Sequence, residues 1–248
     1  MSSLINYFPL GIAKSDAFCN RVLERKRLKQ NVERGIHTVV VSPRRYGKSS
    51  LVQYMLNEMK LPFVKVDFFI ALDEQVIEKE ITEKANKLIN KIGHKHEALI
   101  LKLKELMRKL SLKLILGTDG VQIEVTGDKK TDVARNIASV LQLLEAFLKE
   151  KKQRAVFFID EFQEVSVVAA SKGIEGAIRS VAQESEYLSF IFSGSSRHLL
   201  GQMFEDRSRP LYKLCDKMAL ERIERIDYIR YIQHCAKKTW RAELGDAV

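Results

Sequence analysis

A three-layered α/β fold, a mostly parallel sheet between two sets of helices, follows from three stretches of the chain. Residues 37–41 are a β-branched run that passes through a glycine-containing turn into an amphipathic segment, the opening of a βαβ unit. Residues 154–159 form the most apolar run and end in Asp160 and Glu161. Residues 188–192 form another, ended by Ser193-Gly-Ser-Ser196. Continuous apolar runs of strand length that alternate with helical segments belong in a parallel sheet covered on both faces.

In chain order, residues 17–35 read as a strongly charged amphipathic helix stopped by Gly35. The strand at 37–41 follows, starting at His37. A helix over 49–60 puts Leu51, Met55 and Met59 on one face, and a second strand runs over 61–70. Residues 73–110 are rich in Lys, Glu, Leu and Ile, with Gly93 as a break. The alternating runs 112–116 and 121–125, joined by Gly117-Thr-Asp-Gly120, predict a hairpin. Residues 73–130 are therefore expected to be a helical and hairpin insertion in the core. A helix over 131–151 takes Thr131 or Asp132 as N-cap, another spans 173–186, and 216–241 reads as helical and basic. The expected division is a core over 1–215 and the start of a C-terminal helical lid over 216–248.

Bulk properties narrow the function. With 46% hydrophobic and 30% charged residues the 248-residue chain has the composition of a folded domain. No apolar run approaches the roughly 20 residues that cross a bilayer, and no secretory leader is visible at the start. No membrane partner is expected. Cys19, Cys215 and Cys235 show no paired spacing, so reduced thiols and a cytoplasmic setting are expected. His94-Lys-His96 places two imidazoles at a spacing that shares no helix face, a poor metal site. The net charge of +10 favours polyanionic partners, nucleotide first and nucleic acid second.

Ser42-Pro-Arg-Arg-Tyr-Gly-Lys-Ser49 lies between a buried strand and a helix start. A triphosphate needs inward backbone N–H groups, a cation at the β- and γ-phosphates and a hydroxyl for Mg²⁺. The helix N-terminus supplies the first, Gly47 permits close approach, Lys48 brings the charge, and Ser49 offers the hydroxyl. The spacing fits the P-loop pattern except at its first position, where Ser42 stands for Gly. Val156-Phe-Phe-Ile-Asp-Glu161 then delivers two carboxylates at the C-terminal end of a strand, where open α/β sheets bind ligands. Asp160 is expected to hold magnesium with Ser49, and Glu161 to orient or deprotonate the attacking water.

Four stretches carry a resemblance: Phe18-Cys-Asn-Arg21 with Glu24, Ser42-Pro-Arg-Arg-Tyr-Gly-Lys-Ser-Ser-Leu51, Phe158-Ile-Asp-Glu-Phe-Gln-Glu164 and Phe192-Ser-Gly-Ser195. Together they resemble the archaeal-type P-loop ATPases, relatives of the AAA+ and STAND proteins. The resemblance implies a three-layer P-loop core that binds ATP or ADP with Mg²⁺. It places Phe18, Asn20 and Arg21 near the base, and Ser42, Pro43, Arg44, Arg45, Tyr46, Gly47, Lys48, Ser49 and Ser50 around the phosphates. Ser193 or Ser195 becomes the γ-phosphate sensor. Family members run on into a helical lid and a winged helix. They carry Gly-Arg after a Pro-Leu-Tyr triplet, where this chain has Lys213-Leu214. Arg207 and Arg209 are the candidates to replace the missing arginine, in a neighbouring subunit if the chain self-associates.

Three functions are consistent with these residues: an ATPase whose turnover drives or gates a conformational change, a nucleotide-gated switch with little turnover, and a nucleic-acid-associated scaffold. Lys48 and Glu161 favour the first, and the missing arginine the second. The basic terminal helices would be the footprint of the third, and Tyr228-Ile-Arg-Tyr231 offers a trace of aromatic-basic interleaving.

Overall fold

The computed structural model describes residues 6–9, 11–13, 15–93, 112–117, 120–125, 132–168 and 172–240. Its elements are α1 (Val22–Glu33), β1 (Thr38–Val41), α2 (Lys48–Glu58), β2 (Phe63–Asp67), α3 (Glu74–Ile92), the strands β3 (Leu112–Gly117) and β4 (Gly120–Val125), α4 (Val133–Lys151), β5 (Ala155–Asp160), α5 (Glu164–Val168), α6 (Gly173–Ala182), β6 (Leu188–Gly194), α7 (Arg197–Glu205), β7 (Asp216–Ala219) and α8 (Arg225–Trp240). Five strands make one sheet in the order β2-β5-β6-β1-β7, and each neighbouring pair is parallel.

Successive strand residues face opposite ways, and the core divides accordingly. Val39, Val41, Phe157, Ile159, Phe190 and Phe192 lie in one apolar cluster with α3, α4, α6 and α7. Val40, Val156, Phe158, Ile191 and Met218 lie in a second, with α1 and α2. The three expected layers are present. The alternation also aims the residues at the C-terminal strand ends: Ser42, Asp160 and Ser193 share the parity of the α2 face.

Local chemistry sets the helix ends. Gly35, at φ 72°, closes α1: its N–H bonds the Val32 carbonyl and that of Ile36 bonds the Asn31 carbonyl, a Schellman stop that needs the left-handed conformation. The Asp73 carboxylate accepts from the Val76 N–H at 2.8 Å and starts α3. Asp132 accepts from the Ala134 N–H at 3.0 Å and caps α4, while Thr131, the other expected cap, lies outside the described residues.

Several expectations need correction. The helix expected over 17–35 begins only at Val22, because Asn20 (φ 52°) and Arg21 (φ 66°) stand in the left-handed region. The strand expected over 61–70 is β2 alone. It ends when the Asp67 carboxylate accepts from the Phe69 N–H at 3.2 Å and starts a 3₁₀ turn over Phe68–Ile70. The helix expected over 173–186 stops at Ala182. The helix expected over 216–241 is a strand, β7, at the edge of the core sheet, followed by α8. The hairpin forms as expected, Leu112 opposite Val125 through Gly117 opposite Gly120. Within 73–130, α3 lies in the core layer itself, with Ile77, Ile81, Ala85, Leu88 and Ile89 buried against the α4 side. The part of the 73–110 stretch beyond Gly93, with His94-Lys-His96, and the Thr118–Asp119 turn fall outside the described residues.

His37, at the entry to β1, yields a pH prediction. Its Nδ1 accepts from the Phe190 N–H at 3.1 Å and its Nε2 donates to the Ala182 carbonyl at 2.8 Å, so the neutral ring satisfies both contacts. Burial pushes its pKa below 6.5, against the opposing pulls of the Ala182 carbonyl and Glu145. The unfolded chain therefore takes up a proton that the folded imidazole refuses. Stability is full above about pH 6.5 and falls as the pH drops from there toward the folded value. Denaturant melts between pH 7.5 and 5 should show this slope in the wild type and a smaller one in His37→Gln.

Candidate functional site

The loop between β1 and α2 forms one side of the site. Its left-handed positions are Arg45 (φ 67°) and Gly47 (φ 86°), and Ser42 is not among them. This accounts for the departure at the first motif position: Ser42 takes a backbone conformation open to any residue, and its side chain is fully buried. The strain lies at Arg45, a non-glycine residue with positive φ. Lys48 folds back into the loop and donates to the Ser42 carbonyl at 3.1 Å and the Pro43 carbonyl at 3.3 Å. Burial pushes its ammonium below the ordinary value, against the pull of Glu161 and Asp160.

The other side comes from the ends of β5 and β6. Ser49 Oγ donates to Asp160 Oδ2 at 2.5 Å, joining two motifs 111 residues apart. The Ser193 hydroxyl donates to Asp160 Oδ1. Lys65, on β2, lies 2.7 Å from Asp160 Oδ2. Burial alone would raise the Asp160 pKa, but hydrogen bonds from Lys65, Ser193 and Ser49 outweigh it and hold the carboxyl below the ordinary range. The Lys65 ammonium is likewise opposed by burial, yet Asp160 and Asp67 carry it above its ordinary value.

Immediately after Asp160 the chain turns at Glu161, with φ 51°. The turn is hooked to β6 by the Phe162 N–H, which donates to the Ser193 carbonyl at 2.9 Å. Glu161 Oε2 accepts from Gln163 Nε2 at 2.6 Å, the Ser195 hydroxyl at 2.8 Å and the Ser195 N–H at 3.3 Å. The two acids thus have separate retinues, Asp160 toward α2 and Glu161 toward the β6 turn. Gly194 leaves room for the Gln163 side chain: a Cβ there would meet Gln163 Oε1 at 1.9 Å, so a larger residue would have to displace it.

The segment before α1 flanks the loop. The buried Arg21 donates to the Tyr46 carbonyl at 3.2 Å and pairs with Glu24 at 2.9 Å, bracing the loop from below. Phe18 stacks on Tyr54 of α2, ring centres 4.4 Å apart, with the Arg25 guanidinium 4.6 Å from the Tyr54 ring centre. The Asn20 amide donates to Asp227 of α8. Ser50 accepts from the Ala13 N–H at 3.1 Å, and the Tyr46 hydroxyl from Arg222 at 3.1 Å. Arg44 lies over the Phe69 ring at 5.1 Å, and both Arg44 and Arg45 are exposed on the rim.

The two candidate arginines fare differently. Arg207 is exposed in the turn after α7, whereas Arg209 is held in a two-pronged pair with the buried Glu175 of α6. Lys213 has φ 53°, a backbone conformation that glycine adopts with less strain, and Leu214 packs on the main core. The motif reading missed Lys65, Asp67 and Gln163. Gln163 lay inside a motif already quoted. Lys65 had a signal too, an opposite charge two positions from Asp67 on the same strand face of Phe63-Val-Lys-Val-Asp67. Cys19, Cys215 and Cys235 are free thiols, and burial pushes Cys19 up to about 11. Among the described residues no helix is long and apolar enough to cross a membrane.

Comparison with solved structures finds the same architecture elsewhere. The Walker-type ATPase of Pyrococcus abyssi superposes with a TM-score of 0.66 at 17% identity, over 96% of this chain and 63% of that one. The ORC2 protein of Aeropyrum pernix, solved as ADPNP–ADP complexes, gives 0.56 at 13% identity, over 98% and 56%. The ORC1 protein of the same organism, solved in complex with DNA, gives 0.53 at 11% identity, over 94% and 52%. The chain thus spans less than two thirds of each of these proteins. No curated protein matches it. A family described as an ATPase domain predominantly from Archaea matches residues 18–227. With that match running from the segment before α1 into α8, the chain belongs to this ATPase family.

Proposed function

We propose that the chain binds Mg·ATP between the β1–α2 loop and Asp160, hydrolyses it with Glu161 as base, and uses the change at the phosphates to reposition α8. The observation that carries this reading is the Ser49–Asp160 contact. It sets two oxygen donors side by side, one of them a carboxylate held ionised, at a helix N-terminus built for anions. Magnesium suits such a set, because it binds through one or two carboxylate or hydroxyl groups and takes its other ligands from phosphates and water. Ser49 and Asp160 would hold it, and when bound it offsets charge on the β- and γ-phosphates.

The chain's own residues do the rest. Lys48 leaves the Ser42 and Pro43 carbonyls for the phosphates, which offer stronger, charge-assisted bonds. Glu161 accepts a proton from water while Ser195 and Gln163 fix its carboxylate. Ser193 positions Asp160, and Ser195 is the better placed of the two serines to sense the γ-phosphate. Arg21 and Tyr46 link the loop to the base side, with Phe18 and Asn20 beside it. Two contacts bind α8 and its approach to this machinery, Asn20 with Asp227 and Tyr46 with Arg222. Their making or breaking is the route by which nucleotide state reaches the C-terminal helix. Self-association and nucleic-acid contact, through the +10 surface, belong to the same proposal as clients of that movement.

Thermal melts test the binding step. Mg·ATP at about 100 times its dissociation constant should add about 2.7 kcal/mol of stability, and Lys48→Ala should remove most of the shift. An unaltered shift in Lys48→Ala would count against the phosphate site.

A further inference from the structure

Lys65 has no part in the chemistry above, yet it is built into the same carboxylate. Its ammonium sits 2.7 Å from Asp160 Oδ2, the oxygen to which the Ser49 hydroxyl donates. It also lies 2.9 Å from Asp67 Oδ2. Asp67 and Asp160 are register partners on adjacent strands, so one lysine spans two neighbouring carboxylates. They differ in setting: the Asp160 side chain is 4% exposed and that of Asp67 49%. A buried carboxylate needs a counter-charge more than an exposed one does.

We propose that Lys65 is an internal counter-cation of Asp160, competing with the divalent cation for one oxygen and yielding it by shifting wholly onto Asp67. This rests on the Mg·ATP reading. Charge decides the direction. A univalent and a divalent cation on the same oxygen repel strongly in a poorly solvated site, so both cannot stay. Asp67 supplies a second seat already within hydrogen-bond distance, and the lysine never has to enter water unpaired. Nucleotide-free protein is thereby kept charge-balanced and a poor metal binder. The metal enters with ATP, whose phosphates bring the negative charge that displacement of Lys65 requires.

The test uses Mn²⁺ as probe on the full chain, with free Mn²⁺ read by its paramagnetic resonance signal. Without nucleotide, Lys65→Met and Lys65→Gln should bind Mn²⁺ at least about tenfold tighter than the wild type, while Lys65→Arg, which keeps the charge, should not. With ATP present, Asp67→Asn should weaken Mn²⁺ uptake because Lys65 loses its second seat. Unchanged nucleotide-free affinity in both neutral variants would overturn the proposal. Asp160→Asn separates it from the reading beneath: if that variant takes up Mn·ATP as the wild type does, the metal assignment itself fails.

Discussion

Glu161→Gln should bind ATP as the wild type does and hydrolyse it slower by about two orders of magnitude or more. The amide matches the carboxylate in size and can still accept from Ser195, so the geometry past β5 is kept. What it cannot do is take a proton, and general-base assistance is worth about 10²–10⁴ in rate. Gln163 Nε2, the Ser195 hydroxyl and the Ser195 N–H all converge on Oε2, so the new side chain must turn its amide oxygen, not its nitrogen, to that position. Single-turnover hydrolysis alongside equilibrium binding of a labelled nucleotide makes the measurement. Equal turnover in the two proteins would remove Glu161 from the chemistry and favour the nucleotide-gated switch.

Arg209→Ala should destabilise the protein by about 3–5 kcal/mol, the usual consequence of taking one partner from a buried ion pair. Glu175 is 2% exposed and depends on Arg209 for both carboxylate oxygens. Burial pushes the Glu175 carboxyl up, and Arg209 partly offsets this. Without the guanidinium the carboxyl rises further. The folded state then binds a proton that the unfolded chain releases, so the penalty is largest near neutral pH and shrinks as acid protonates Glu175. Urea melts at pH 7 and pH 5 check both parts. They also separate two roles for the same residue. A transition-state arginine lost to alanine lowers turnover at full stability; a structural partner of Glu175 lowers stability first. Arg207 is exposed and makes no part of that pair.

What could be read from the chain, and what could not, divides along physical lines. The strands β1, β5 and β6 were legible because burial on both faces demands unbroken apolar runs. The β1–α2 loop and the Asp160–Glu161 pair stood out because few other chemistries call for such motifs, and the structure brings them together through Ser49 and Asp160. The strand β7 was not. Asp-Lys-Met-Ala has one buried side chain, Met218, and its place at the sheet edge is set by Asp216, which Arg27 grips at 2.6 and 2.9 Å and Asn31 at 2.7 Å. Nothing in local pattern announces a partner 185 residues away. The same holds for Lys65, whose meaning comes from a strand neighbour distant in sequence, and for Arg209, whose partner Glu175 lies on α6, 34 residues away.

The turn at Glu161 has one more consequence. A glutamate at φ 51° is held in a conformation that glycine or asparagine adopts with less strain. On the proposal that Glu161 is the base, the residue best suited to the backbone at 161 is therefore not the residue suited to take a proton there. Heat resistance and turnover pull this position in opposite directions. A population of variants sorted by survival at high temperature alone drifts toward Asn or Gly at 161 and goes silent as it hardens, whereas one sorted by turnover keeps the glutamate and accepts a softer fold.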